Sequence, residues 1–299
     1  MKNNFQTVII IGAPRSGTNM LRDVLCSIEG IDTWPCDEIN YIWRHGNIKF
    51  ESDEFTREQA NDYVKKYIRD QFYKFQQKKN SRVVVEKTTA NSLRVQFVNE
   101  IFPNAKFIYI KRDMFDVIGS AKHRWKASLD INYLMKKARF VPILDMPYYA
   151  IRYILSRIHR IFSKEKRVAF WGPIFKDMQH YLKKYSLTEI CAVQWLRCVN
   201  KSEKDFKSLD SNRIFSLKYE EFVNDPFSTT KKIIKFIEDD VSLSEINKAV
   251  QNVSAKSIGK GANELTKNEK KRVLELINEE NEKHDQDINK EIKYPKEHI

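Results

Sequence analysis

Thr7-Val8-Ile9-Ile10-Ile11-Gly12-Ala13-Pro14-Arg15-Ser16-Gly17-Thr18-Asn19 is a β-branched run that breaks at a glycine and resumes, after a second glycine, as a segment of helical period from Thr18 to Ser27. A strand, a tight loop and a helix in that order gather backbone N–H groups and a helix N-terminus around one point, which suits an anion. The spacing of Gly12 and Gly17 is that of the Walker A pattern, but Thr18 stands where that pattern has its lysine and Asn19 where it has the magnesium-binding hydroxyl. An ATP-dependent kinase is thereby disfavoured. Arg15 supplies positive charge inside the loop instead; the plain alternative is a tight strand-to-helix turn.

Working outward, further β-branched or aromatic runs occur at Arg82–Val85, Lys106–Ile110, Val168–Trp171 and Arg213–Leu217. Between them lie helical periods at Arg57–Gln77, Ser92–Ile101, Phe115–Lys126, Glu189–Leu209, Phe227–Glu238 and Leu265–Glu279. This alternation predicts an α/β fold, a P-loop-like, mostly parallel sheet flanked by helices. Residues 1–299 read as a single domain. Residues 127–187 interrupt the rhythm with Pro142, Pro147 and Pro173 and many aromatics, and read as a basic, aromatic-rich insertion over the active face that contributes to acceptor or membrane-surface contact. Residues 280–299 are polar and read as a mobile tail.

The chain carries a formal net charge of +13, and from Lys122 to Lys184 fifteen Lys and Arg face four Asp and Glu. Charge concentrated in this way favours an anionic partner, whether nucleotide, acidic glycan, nucleic acid or anionic lipid, with a solvated basic face as the plain alternative. Cys26, Cys36, Cys191 and Cys198 form no CxxC pair and no metal-ligand spacing, so a reducing compartment is expected. No window reaches the length of a spanning helix, which implies a protein in solution or at a membrane surface.

A second anion site is legible in Lys106-Phe-Ile-Tyr-Ile-Lys-Arg112-Asp-Met-Phe-Asp-Val-Ile-Gly-Ser120-Ala-Lys-His-Arg124, a strand running into a helix. Arg112 stands at the strand's end, and Ser120 and Arg124 share a helix face. A bend between the two elements can bring all three onto one phosphate, which arginine grips bidentately.

These motifs resemble those of sulfotransferases that use 3′-phosphoadenosine 5′-phosphosulfate (PAPS) and release 3′-phosphoadenosine 5′-phosphate (PAP). That family pairs a 5′-phosphosulfate loop after its first strand with an Arg and a Ser, spaced like Arg112 and Ser120, that hold the 3′-phosphate. Glu86-Lys87-Thr88-Thr89, Phe102-Pro103-Asn104-Ala105-Lys106 and Leu217-Lys218-Tyr219-Glu220-Glu221-Phe222-Val223-Asn224-Asp225-Pro226 extend the likeness over most of the chain outside the insertion. The chain looks closer to the tyrosylprotein and the bacterial or glycan-modifying branches than to the cytosolic small-molecule branch, because Thr89 stands where the latter has its catalytic histidine.

The resemblance implies that Pro14, Arg15, Ser16, Gly17, Thr18 and Asn19 hold the phosphosulfate, and that Arg112, Ser120 and Arg124 hold the 3′-phosphate side. Lys260, in Ser257-Ile-Gly259-Lys260-Gly-Ala-Asn-Glu-Leu265, resembles part of a segment that closes over the nucleotide; a surface loop is the alternative. The catalytic set implied is Arg15, Lys87 and Glu38, with Lys87 following charge onto the bridging oxygen and Glu38 as base. Asp37 is the alternative base, and a turn merely decorated by both acids is the plain reading. His45 and His123 are weaker candidates. No metal is called for.

The implied activity is transfer of a sulfuryl group to a hydroxyl of a glycan or glycolipid. Protein-tyrosine sulfation, a P-loop kinase-like activity and non-catalytic binding of an anionic ligand are the rivals; no nucleic-acid partner is implied. Tyr148–Phe162 places Ile151, Ile154, Leu155, Ile158, Ile161 and Phe162 at helical spacing, with Arg152, Arg157 and Arg160 on other faces. Such a helix can lie on an anionic bilayer or pack on the core, so the expected location is cytoplasmic, peripheral at the inner face of the membrane if the bilayer reading holds.

Overall fold

The computed structural model describes residues 5–126, 139–151, 154–155 and 170–293. Strands β1 (Gln6–Ile11), β3 (Val83–Glu86) and β4 (Lys106–Lys111) are near-continuous apolar runs, as expected of strands covered on both faces. With β2 (Ile31–Asp32) and β5 (Ile214–Lys218) they form one sheet in the order β2-β3-β1-β4-β5, every pairing parallel. The register sets Ile9 level with Glu86 on one side and Phe107 on the other.

Alternation along the strands divides the core between two faces. Val8, Ile10, Val85, Ile108 and Ile110 pack on α1 (Thr18–Leu25) and α9 (Pro226–Ile237). Ile9, Ile11, Val84, Phe107 and Tyr109 pack on α3 (Asp62–Lys79) and α4 (Val95–Ile101). A third cluster joins α5 (Met114–Lys126), α7 (Leu187–Phe206) and α12 (Lys267–Lys293) around Ile118, Trp125, Leu196 and Leu276. Helix starts follow local chemistry: Asn61 caps α3, Ser186 and Glu189 form a capping box on α7, and Asp225 caps α9 with Pro226 in its first turn.

The sheet is entirely parallel among the described residues, where a mostly parallel one was expected. Two-residue β2 was missed because it is too short to leave a period. The helix expected from Arg57 is a 3-10 turn at Arg57–Gln59 followed by α3. Phe170 and Trp171 are not in a strand, and Val168 and Ala169 lie outside the described residues. Of Tyr148–Phe162, residues 148–151 and 154–155 are described and helical. Helix α12 runs to Lys293, well past Glu279: the Glu280 carboxylate is buried and accepts from Tyr181 Oη at 2.7 Å, Arg197 Nη2 at 3.1 Å and Lys283 Nζ at 2.8 Å, which ties the polar continuation to the body. Residues 294–299 of the expected tail lie outside the described residues.

One ionic cluster ties together the segments at Arg44, Asp53, Arg94 and Ile174. Asp53 is 0% exposed and accepts from Arg44 Nη1 at 2.8 Å, Arg94 Nη1 at 3.4 Å and the Ile174 N–H at 2.8 Å. Arg94 is also fully buried, under the rings of Phe55 and Phe97. Burial would raise the Asp53 pKa, but Arg94 and Arg44 outweigh it and hold the carboxyl below its usual value. Asp53→Ala strands two buried cations and is expected to cost about 3–5 kcal/mol in urea-induced unfolding. Asp70→Ala, which removes the exposed partner of Lys66, should leave the transition unmoved.

Candidate active site

The carboxyl ends of all five strands open on one edge, where sheets of this kind place ligands. The loop after β1 turns there. Gly17, the residue before α1, has φ 90°, and a Cβ on it would lie 2.3 Å from the Tyr219 ring, so only glycine fits. Arg15 also has positive φ (73°), a strained state for a side chain of this size. The first N–H groups of α1 have no partner within the helix, and no acidic residue occupies its first turn.

The strained loop carries Arg15 to the second site predicted from sequence. Arg15 Nε donates to Ser120 Oγ at 2.9 Å, and Arg112 Nη1 donates to the Arg15 carbonyl at 3.2 Å. Partial removal from solvent, then repulsion from Arg124 and Arg112, lowers the Arg15 pKa against a smaller opposing pull from Asp37. Arg15, Ser120, Arg112 and Arg124 therefore converge, and an anion among these guanidinium groups would relieve their repulsion. Arg112 lies 4.2 Å over the Tyr219 ring, and its Nε is buried without a hydrogen-bond partner. Lys260 is exposed in the first turn of α11 (Lys260–Asn263). Pro14 and Ser16 are buried, and the Ser16 N–H closes the loop onto the Ala13 carbonyl at 3.1 Å; Thr18 begins α1, with Asn19 beside it.

A separate contact joins the ends of β3 and the segment after β2. Lys87 Nζ lies 3.1 Å from Glu38 Oε1, which also accepts from Thr89 N at 3.2 Å and Thr89 Oγ1 at 2.9 Å. Lys87 is 3% exposed and Glu38 23%, so the carboxylate is the more open of the pair and the ammonium lies beneath it. Asp37 has a different partner: Arg22 Nη1 donates to its carbonyl at 3.2 Å and lies 3.4 Å from its Oδ1. His45 is not at this site, being buried between Asp145 (2.7 Å) and Tyr63 (2.8 Å). His123 pairs with Glu264 at the surface.

Two acids escaped the sequence reading. Glu86, 1% exposed, accepts from Thr88 Oγ1 at 2.5 Å and Asn91 Nδ2 at 2.9 Å. Thr88 Oγ1 in turn accepts the Ile39 N–H at 3.2 Å, fixing the residue next to Glu38. Asp116, in the first turn of α5, bonds Arg112 and the segment before α11. The spacing of Arg112 and Asp116 was a usable signal for the second; nothing local distinguishes Glu86 from the end of an ordinary strand. Trp171-Gly172-Pro173 borders the loop: Gln194 Nε2 donates to the carbonyls of Trp171 (2.9 Å) and Pro173 (2.8 Å), and a Cβ on Gly172 would lie 3.4 Å from Pro14 Cγ.

A sequence profile of the sulfotransferase family matches residues 7–168 and 157–242, and the chain belongs to that family. The sulfotransferase domain of the Synechococcus PCC 7002 olefin synthase shares the fold at 14% identity, with a TM-score of 0.51 over 93% of this chain and 95% of that one. The sulfotransferase domain from the curacin biosynthetic pathway matches at 16% identity, covering 88% and 83% of the two chains, with a TM-score of 0.48. Mouse sulfotransferase SULT7A1, complexed with PAP, matches at 16% identity over 91% and 82% with a TM-score of 0.48. No curated protein sequence matches the chain.

Burial pushes the Glu86 carboxyl up to about 7, against the hydrogen bond from Thr88 and the nearby Lys87 charge. A carboxyl with a raised folded pKa binds its proton more tightly in the native state, so its stabilising effect is complete below the unfolded value and is lost as pH rises through about 7. Relative to Glu86→Gln, the wild-type protein should lose about 2–3 kcal/mol of unfolding free energy between pH 4.5 and 7. Parallel pH profiles for the two proteins in chemical denaturation would contradict this.

Proposed function

We propose that the protein transfers a sulfuryl group from PAPS to a hydroxyl of a saccharide or lipid-linked saccharide, without a metal. The observation that carries the proposal is that the Lys87–Glu38 contact, at 3.1 Å, opens on the same sheet edge as the Arg15, Ser120 and Arg112 cluster. The loop's N–H groups and Arg15 receive the 5′-phosphosulfate, and Arg112, Ser120 and Arg124 the 3′-phosphate. Lys260 approaches from α11.

In the reaction the acceptor oxygen attacks sulfur while the bond to the phosphate oxygen breaks, so negative charge grows on the leaving group. Lys87 follows that charge, and the arriving donor competes with Glu38 for its ammonium. Glu38, still held by Thr89, takes the proton from the acceptor hydroxyl, a contribution of roughly 100- to 10,000-fold. Its contacts with Lys87 and Thr89 favour it as base over Asp37, which Arg22 engages. The saccharide class rests on the resemblance to glycan-modifying and bacterial members, with a tyrosine acceptor as the rival.

PAP should raise the melting temperature without magnesium, and ATP with magnesium should not. Stabilisation by ATP alone would favour the kinase-like reading, and by neither the anion-binding one. Glu38→Gln should retain PAP binding while losing about 100-fold or more in turnover, and Arg112→Ala should weaken PAP instead.

A second reading concerns where the acceptor is met. Ile143 and Leu144 are 83% and 84% exposed, and Met146, Ile151, Ile154 and Leu155 are also exposed. Apolar side chains bared in this number within a segment rich in Lys and Arg suit an anionic bilayer. No helix among the described residues is long and apolar enough to cross one. The protein should sediment with anionic but not neutral vesicles, and replacing Ile151, Ile154 and Leu155 by Asp should abolish this while the melting temperature holds. Absence of binding to anionic vesicles at low salt would refute a membrane role.

A further inference from the structure

Two segments distant in sequence, 112–120 and 257–262, meet on one buried carboxylate. Asp116 is 1% exposed. Its Oδ2 accepts the Gly259 N–H at 2.8 Å and Arg112 Nη2 at 3.2 Å, and its Oδ1 accepts the Ala262 N–H at 3.0 Å. Arg112 Nη2 also donates to the Ser257 carbonyl at 2.6 Å. Burial would raise the Asp116 pKa, but the Ala262 and Gly259 amides and Arg112 outweigh it and keep the carboxyl ionised.

The backbones themselves touch at this point. A Cβ on Gly119 would lie 2.0 Å from the Gly261 carbonyl oxygen, and one on Gly261 would lie 2.1 Å from that of Asp116. The turn at 259–262 is thus pressed onto α5 beside Ser120, where only glycines allow the approach. Arg112 meanwhile keeps its Nε unpartnered and its Nη1 on the phosphate loop.

We infer that Asp116 is a positioning residue for recognition of the nucleotide's 3′-phosphate: it fixes the Arg112 guanidinium and pins the 257–262 segment to α5, so that Arg112, Ser120 and the Lys260 end of α11 are presented together. The inference rests on the donor reading above. Its sign distinguishes it from a simple charge effect. Asp116→Asn removes one negative charge next to Arg112, which by Coulomb attraction alone would tighten an anion; loss of positioning weakens it.

The test is calorimetric titration of the full chain with PAP and with 5′-AMP, which differ only in the 3′-phosphate. Wild type should prefer PAP. In Asp116→Asn, PAP affinity should fall about tenfold or more while 5′-AMP affinity changes little, with an unchanged circular dichroism spectrum. Gly261→Ala, which separates the two backbones without altering charge, should act in the same direction and serves if the first variant does not fold. An equal loss for both ligands, or a gain for PAP, overturns the assignment of Asp116. A wild-type protein that does not distinguish PAP from 5′-AMP overturns the donor reading, and this inference with it.

Discussion

The ring of Tyr219 lies so close to the phosphate loop that Gly17 has no room for a Cβ, and the same ring lies under the Arg112 guanidinium. Its hydroxyl bonds Ser257 Oγ. One side chain, placed at the end of β5, therefore sets the height of the loop after β1, of the arginine after β4 and of the segment before α11. Moving any of these disturbs the others, because all three meet the same fully buried side chain.

That constraint acts on short turns that follow central strands. β1 and β4 are buried on both faces, so the residues just past their ends cannot drift. Arg15 pays for its place with a left-handed backbone. Glu38 reaches the cleft differently, on a longer segment after the two-residue edge strand β2, and it needs Thr89, Lys87 and the Ile39–Thr88 bond to hold it.

Much of this was legible in the amino-acid sequence where a signal is local. The continuous runs of β1, β3 and β4, the two glycines of the loop and the Arg112, Ser120 pair are patterns within a few residues of each other. The different partners of Glu38 and Asp37 were not, because Lys87 and Arg22 reach them from other elements. Asp53 was illegible for the same reason, being defined by Arg94 and Ile174, while Asp116 left only its spacing from Arg112 in the sequence, its contacts with Gly259 and Ala262 coming from far along the chain. Helix α8 (Tyr219–Asn224) was also missed, since six residues directly after β5 are too few to show a helical period. Polar composition beyond Glu279 concealed that Glu280 is an anchor.

The order β2-β3-β1-β4-β5 has a further consequence for how such a molecule diverges. The turns after β1 and β4 hang from the middle of the sheet, whereas Glu38 lies on the segment that follows its edge strand β2. Substitutions along that margin can reshape what the cleft admits while the interior strands remain untouched. In evolutionary terms, on the proposed reading of the site, changes at this margin alter the acceptor side without rebuilding the turns after β1 and β4 that are assigned to the donor.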